Sequence, residues 1–160
     1  MEFRTANLIL RTFTGDDLAE VARTWSDHLL PDAEAQAAIS YMRGNHEKNA
    51  PGHLQHLCLA VCLQAEPRTI RGWCGLDGSR NPAEPEIFVI LSDEAFRGRG
   101  YGTECMRELL RIAVEDCALH AVHGGCYKDN IASAKAMEKA GMELCGHEDN
   151  GDPRYRFVRE

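Results

Sequence analysis

Residues 97–103 read RGRGYGT, so Gly98, Gly100 and Gly102 alternate with Arg97, Arg99 and Tyr101 ahead of Thr103. The stretch follows an apolar run, EIFVIL, and precedes Cys105, Leu109, Ile112, Ala113 and Cys117, apolar positions at helical spacing. It therefore joins a strand to the first turn of a helix. The first amides of a helix lack intrahelical acceptors and sit at the positive end of the helix dipole, which suits an anion. Glycine in such a loop removes the Cβ atoms that would hold a phosphate off the backbone, and permits positive φ. The spacing is too short for the GxxxxGK[ST] phosphate loop. It is not GxGxxG with an acidic residue about 20 positions on either. Two readings remain: a phosphate cradle of another kind, or a tight strand-to-helix turn with solvated arginines.

The elements around the loop follow from periodicity. LILRTF (Leu8–Phe13) alternates as a half-buried strand, and Thr14 caps a helix expected to reach Asp27. A second helix is expected over Asp32 to Asn49. Leu57–Leu63 and Thr69–Leu76 are apolar runs separated by QAEPR, a hairpin-length link, and EIFVIL is the next strand. A helix from Gly102 to Cys117, a strand in HAVHGGCY, a helix in NIASAKAMEKAGM ending at Gly141, and two short strands complete the order. The pattern is α+β, with meander hairpins before one βαβ crossover.

Composition narrows the partners. With 160 residues and 44% apolar content, the chain can bury the core of one domain, 1–160. Eighteen basic against 25 acidic residues give a net charge of -7, which repels a nucleic-acid backbone and suits cationic ligands such as amines. No run approaches a membrane span, and no signal-peptide apolar stretch follows Glu2 and Arg4, so a cytoplasmic protein is expected. Seven cysteines without a CxxC pair read as free thiols. HLQHLCLAVC offers His53, His56, Cys58 and Cys62 as metal-ligand types, but Cys58 and Cys62 belong to an apolar strand and no second pair completes a site. The expectation is no metal.

RGRGYG resembles the [Q/R]xxGx[G/A] pyrophosphate loop of the GNAT N-acetyltransferases through Arg97, Gly100 and Gly102. About 28 residues later, NIASAKAMEKAGM resembles the second signature of that family, an asparagine followed by a helix ending in EKxGF. NLILRTFTGDDLAEV and IRGWCGL are similar to the opening and third strand of the RimJ/RimL-like branch. The resemblance implies a GNAT-like three-layer fold, its mostly antiparallel twisted sheet splayed between the fourth and fifth strands. It implies direct transfer of an acetyl group from acetyl-CoA to a primary amine. Backbone groups of Ile90, Leu91 and Ser92 would meet the pantetheine arm. Amides from Arg97 through Thr103, those of Gly98, Arg99, Gly100, Tyr101 and Gly102 among them, would hold the pyrophosphate, and Asn130 would contact the arm.

Transfer from a thioester needs a neutral amine, a polarised carbonyl and a proton for the departing thiolate, with no covalent enzyme intermediate. The family's usual acid, a tyrosine seven residues after the motif asparagine, is replaced here by Met137, which cannot donate a proton. Ser133 stands where the RimJ/RimL-like branch carries a serine. It reads either as the acid or as a helix N-terminal hydroxyl bonded to backbone. Glu86 is the first candidate for the base, with His123 and a water chain as alternatives. Asn130 can also cap its helix, Lys135 and Lys139 share a helical face, Cys126 reads as core, and His28, His46, His53 and His56 fall in the segment where acceptor sites form. A non-catalytic acyl-CoA sensor is the competing reading, supported by Met137. The acceptor, and a homodimeric or monomeric state, are not legible in the residues.

Overall fold

In the computed structural model, which describes residues 1–26 and 28–160, the chain runs β1 (Glu2–Arg4), β2 (Leu8–Arg11), α1 (Leu18–Thr24), α2 (Asp32–His46), β3 (His56–Leu63), β4 (Gly72–Asp77), β5 (Glu86–Leu91), α3 (Tyr101–Arg111), β6 (Ala121–Gly125), α4 (Ile131–Ala140), β7 (Glu143–His147) and β8 (Pro153–Val158). The strands form one sheet in the order β1-β2-β3-β4-β5-β6-β8-β7.

The apolar run HLCLAVCL makes β3 a strand buried on both faces, and alternation divides its side chains between two cores. Leu57, Leu59 and Val61 pack with Leu76, Ile87, Cys105 and Leu109 on the face covered by α3 and α4. Cys58, Ala60 and Cys62 pack with Val21, Ile39 and Met42 on the face covered by α1 and α2. Helices on both faces of one sheet give the expected three layers.

Every strand pairing is antiparallel except β5 with β6, which are joined in parallel register only at Glu86 and His123, where the His123 amide donates to the Pro85 carbonyl at 2.9 Å. Beyond that point the two strands part. They are the fourth and fifth strands of the sequence reading, renumbered because β1, three residues long, is too short to leave a period-two signal.

Boundaries moved where local contacts outweigh periodicity. The first strand stops at Arg11 because the chain turns there. Asp17, 4% exposed, accepts the Thr14 amide at 2.8 Å and a bidentate pair from Arg11 at 2.8 Å. Helix α1 closes at Thr24, and Asp27, its expected end, lies outside the described residues. Helix α2 stops at His46, whose Nε2 accepts the Cys58 amide at 3.1 Å. The strand expected from Thr69 begins at Gly72.

Candidate active site

The glycine loop sits between the end of β5 and the start of α3. Gly98 (φ 72°) and Gly100 (φ 82°) are left-handed, a conformation that L side chains rarely adopt. A Cβ built on Gly98, Gly100 or Gly102 meets nothing within 4 Å, so the space above the loop is open. The amides of Gly98, Arg99, Gly100, Tyr101, Gly102 and Thr103 have no hydrogen-bond acceptor among the described residues. Six donors at a helix N-terminus, facing open space, make an anion cradle. The Arg97 amide, expected among them, donates instead to the Glu94 carbonyl at 3.1 Å, and Arg97 Nε donates to the Leu91 carbonyl at 3.0 Å. Arg97 thus ties the loop back to β5. Arg99 is exposed.

A carboxylate in the first turn of α3 would repel an anion, yet Glu104 is there. Its oxygens accept from the Thr5 hydroxyl, the Asn7 amide at 2.7 Å and Asn7 Nδ2 at 3.0 Å, which turns it toward the link between β1 and β2. Burial pushes its carboxyl up, but the bonds from Thr5 and Asn7 together outweigh that and hold it below the usual range. Glu104 anchors the cradle to the sheet edge. The sequence reading passed over it, although it follows directly on RGRGYGT.

Which backbone groups of β5 face the gap is decided by alternation. The Ser92 amide donates to the Arg71 carbonyl at 3.0 Å and the Ser92 hydroxyl to the same oxygen at 3.2 Å, so Ser92 faces β4. Antiparallel pairs alternate, so Ile90, opposite Trp73, also directs its amide toward β4. Leu91 and Val89 point the other way, the same way as Pro85, whose carbonyl is bonded to β6. The β5 backbone that faces the gap is therefore that of Val89 and Leu91. Of the expected residues, Ile90 and Ser92 turn their backbone groups to β4 instead. The Ile90 side chain, 46% exposed, stands on the face shared with Phe88 and Trp73.

Across the gap, β6 runs into the cap of α4. Asn130 Oδ1 accepts the Ser133 amide at 3.1 Å, so the capping role is present. The Ser133 hydroxyl makes no hydrogen bond among the described residues and lines a cleft of about 400 Å³ with Cys126, Tyr127, Asn130, Glu148, Asp152 and Arg154. A backbone-bonded hydroxyl is not what is found. Tyr127, Glu148 and Asp152 were missed because loop residues carry no periodic signal, and Arg154 because its strand, β8, alternates too weakly to show which side chains reach the cleft. Met137 is 1% exposed and packs beneath Gly124, away from the cleft. Burial, and then Asp152, push the Cys126 thiol up, which makes it a poor nucleophile. Lys135 and Lys139 are exposed.

Glu86 and His123 stand side by side where β5 and β6 last pair. Glu86 Oε1 accepts from Arg154 at 2.7 Å, and that guanidinium crosses over Gly125, where a Cβ would collide with it. Arg154 has a second carboxylate, Glu148, at 3.4 Å. His123 Nε2 lies 2.6 Å from Glu84, whose other oxygen accepts from Arg156 at 2.7 Å. The His123 and Arg156 hydrogen bonds hold Glu84 below the usual carboxylate range. Of the remaining histidines, His56 stacks on Phe88 at 6.2 Å and burial pushes its pKa down, His46 bonds the Cys58 amide, His28 lies 2.9 Å from the Ser26 hydroxyl, and His53 is exposed. Among the described residues, no group of three or more His, Cys, Asp or Glu is placed to hold a metal ion, and no helix is long and apolar enough to cross a membrane.

Comparison with known proteins bears on this geometry. The model of the acetyltransferase (GNAT) domain family matches residues 7–143. No curated protein matches the sequence. Among solved structures, the chain is similar to a ribosomal-protein-alanine acetyltransferase from Vibrio fischeri, with 15% identity, TM-score 0.82, and 99% and 96% of the two chains covered. It is similar to RimL, a ribosomal alpha-N-protein acetyltransferase in complex with coenzyme A (14%, 0.73, 99% and 98%). The microcin self-immunity acetyltransferase MccE, in complex with acetyl-CoA and AMP, is a third (15%, 0.73, 97% and 94%).

Proposed function

The chain belongs to the GNAT acetyltransferase family, and from that premise we propose a cytoplasmic enzyme of the RimJ/RimL-like branch, one domain over residues 1–160, that acetylates protein or peptide N-termini. Acetyl-CoA is the co-substrate and N-acetyl transfer the activity. The branch assignment draws support from the ribosomal-protein acetyltransferases among the structural relatives and from Ser133.

The observation that carries the reading is the set of six unpartnered amides, Gly98 to Thr103, opening onto free space beside the splay. They fit a pyrophosphate. Val89 and Leu91 complete the arm's hydrogen bonds, as an added strand would, and one of their amides polarises the thioester carbonyl. Bound acetyl-CoA supplies the activated acetyl group; the chain orients it and manages protons. Glu86 receives the ammonium of the acceptor and takes its proton, while Arg154 shifts toward Glu148. Ser133 would give its proton to the departing sulfur and regain one through water, the proton taken by Glu86 leaving to solvent.

The test is release of free CoA thiol from acetyl-CoA with a panel of peptide N-termini, polyamines and free amino acids, paired with mass detection of acetylated product. Turnover with peptides is expected. Acetyl-CoA binding without thiol release from any amine would favour the non-catalytic sensor instead.

A further inference from the structure

One residue outside the glycine loop contacts the end of β5, the turn that follows it and the ring that stacks on the start of α3. The Arg71 amide donates to the Val61 carbonyl at 2.8 Å, bracing it on β3, while its carbonyl accepts the Ser92 amide at 3.0 Å. That last bond fixes which way the end of β5 faces. Next to it, Gly72 allows the close approach: a Cβ there would run into the Ile90 carbonyl oxygen.

The side chain continues the same work. Arg71 Nη1 donates to Asp93 Oδ2 at 2.6 Å, and Asp93 Oδ1 accepts the Ala95 amide at 3.0 Å, capping the turn that leads into the loop. Nη2 donates to Glu66 on the β3–β4 hairpin. The guanidinium lies 5.9 Å from the Phe96 ring centroid, and Phe96 in turn stacks on Tyr101 at 4.3 Å, at the first residue of α3. A continuous stack of Arg71, Phe96 and Tyr101 therefore spans from the start of β4 to the helix end where the free amides lie.

We propose that Arg71 is a positioning residue for acetyl-CoA: through Asp93 and Phe96 it holds the glycine loop in its anion-binding shape before the cofactor arrives. The proposal rests on the reading that this loop binds the pyrophosphate. Arg71 touches neither the acetyl group nor the amine. Its loss lowers the fraction of molecules with a competent loop, and apparent affinity falls by that fraction.

Isothermal titration of acetyl-CoA and steady-state kinetics on wild type, Arg71→Ala, Asp93→Asn, the double variant and Gly100→Val test it. Asp93→Asn keeps the oxygen that caps Ala95, so it stays informative if Arg71→Ala folds poorly. Both single variants are expected to weaken acetyl-CoA binding, and raise its KM, by about 5- to 20-fold for a part-exposed charge-assisted bond. At saturating acetyl-CoA, kcat stays within about twofold and the KM of the amine is unchanged. The double variant is no weaker than the worse single one, because both break one contact. Arg71 acting only on folding would lower kcat through a smaller active fraction and leave the KM for acetyl-CoA alone, and that result overturns the proposal. If Gly100→Val binds like wild type, the loop reading itself fails and takes this inference with it.

Discussion

Ser133 is the proposed acid and Met137 is not, and their surroundings differ in the matching way. Ser133 lines the cleft and its hydroxyl makes no hydrogen bond among the described residues, whereas Met137 is sealed under β6 with Gly124 against its sulfur. Ser133→Ala is expected to lower kcat by about 10²-fold, the low end for general acid catalysis, because a thiolate of pKa near 8.5 leaves fairly well unaided. Acetyl-CoA affinity should be unchanged, since the contact matters mainly in the transition state. A matching loss of affinity would mark Ser133 as a binding residue. Adding Met137→Tyr does not rescue the rate: a larger side chain with a hydroxyl, forced into a packed core, costs about 1–3 kcal/mol and lowers Tm by several degrees. Restored turnover in the double variant would show that the position reaches the cleft after all. The residue types at both positions are legible in the sequence, but their directions are not. A helix presents a residue to core or cleft according to how the whole element packs.

At the scale of elements, the glycine loop was readable because its constraint is local: positive φ at Gly98 and Gly100 calls for glycine wherever the loop sits. The facing of β5 was not. Whether Leu91 or Ile90 turns its amide to the gap depends on a bond from Ser92 to a residue 21 positions earlier, and a slip of one residue reverses every group. Resemblance located the strand and missed its phase. The turn into α1 is a similar case. Thr14 stands at the N-cap as expected and forms a capping box with Asp17, but the bidentate Arg11 pair that lets Asp17 be buried was not legible. Burial pushes its carboxyl up, but the Arg11 guanidinium and the Thr14 amide together outweigh that and hold it below the usual range. A carboxyl with a lowered folded pKa stabilises above its unfolded value, near 3.9, and that contribution is lost as pH falls through the folded value. Asp17→Asn is thus expected to cost about 2–4 kcal/mol at pH 7, as loss of one partner leaves Arg11 half-buried without its charge. Urea unfolding should show the gap from wild type closing as pH drops below about 4. A gap that is constant with pH would mean the pair contributes little.

On the scale of the molecule, the sheet works as a frame with one deliberate break. Antiparallel bonds hold β1 to β5 and β6 to β8, and a single parallel contact at Glu86 and His123 joins the two halves. The break opens toward the loop and α3 on one face, and toward Glu86, Ile90 and Phe88 on the other. In the proposed reaction acetyl-CoA would enter from the first side and the amine would reach its thioester from the second. The order of elements along the chain could be inferred from apolar runs, whereas the layering and the break came only with the family resemblance. Acetyl-CoA is expected to fill this break by bonding to the free amides of β5 and the loop. Amide hydrogen exchange, read residue by residue with and without acetyl-CoA, tests it directly. The amides of Ile90 and Ser92, already bonded to β4, should be protected in both states, while those of Val89, Leu91 and Gly98 to Thr103 should become protected only when acetyl-CoA is added. Protection that appears elsewhere, or leaves Val89, Leu91 and the loop amides exchanging freely at saturating acetyl-CoA, would contradict the claim.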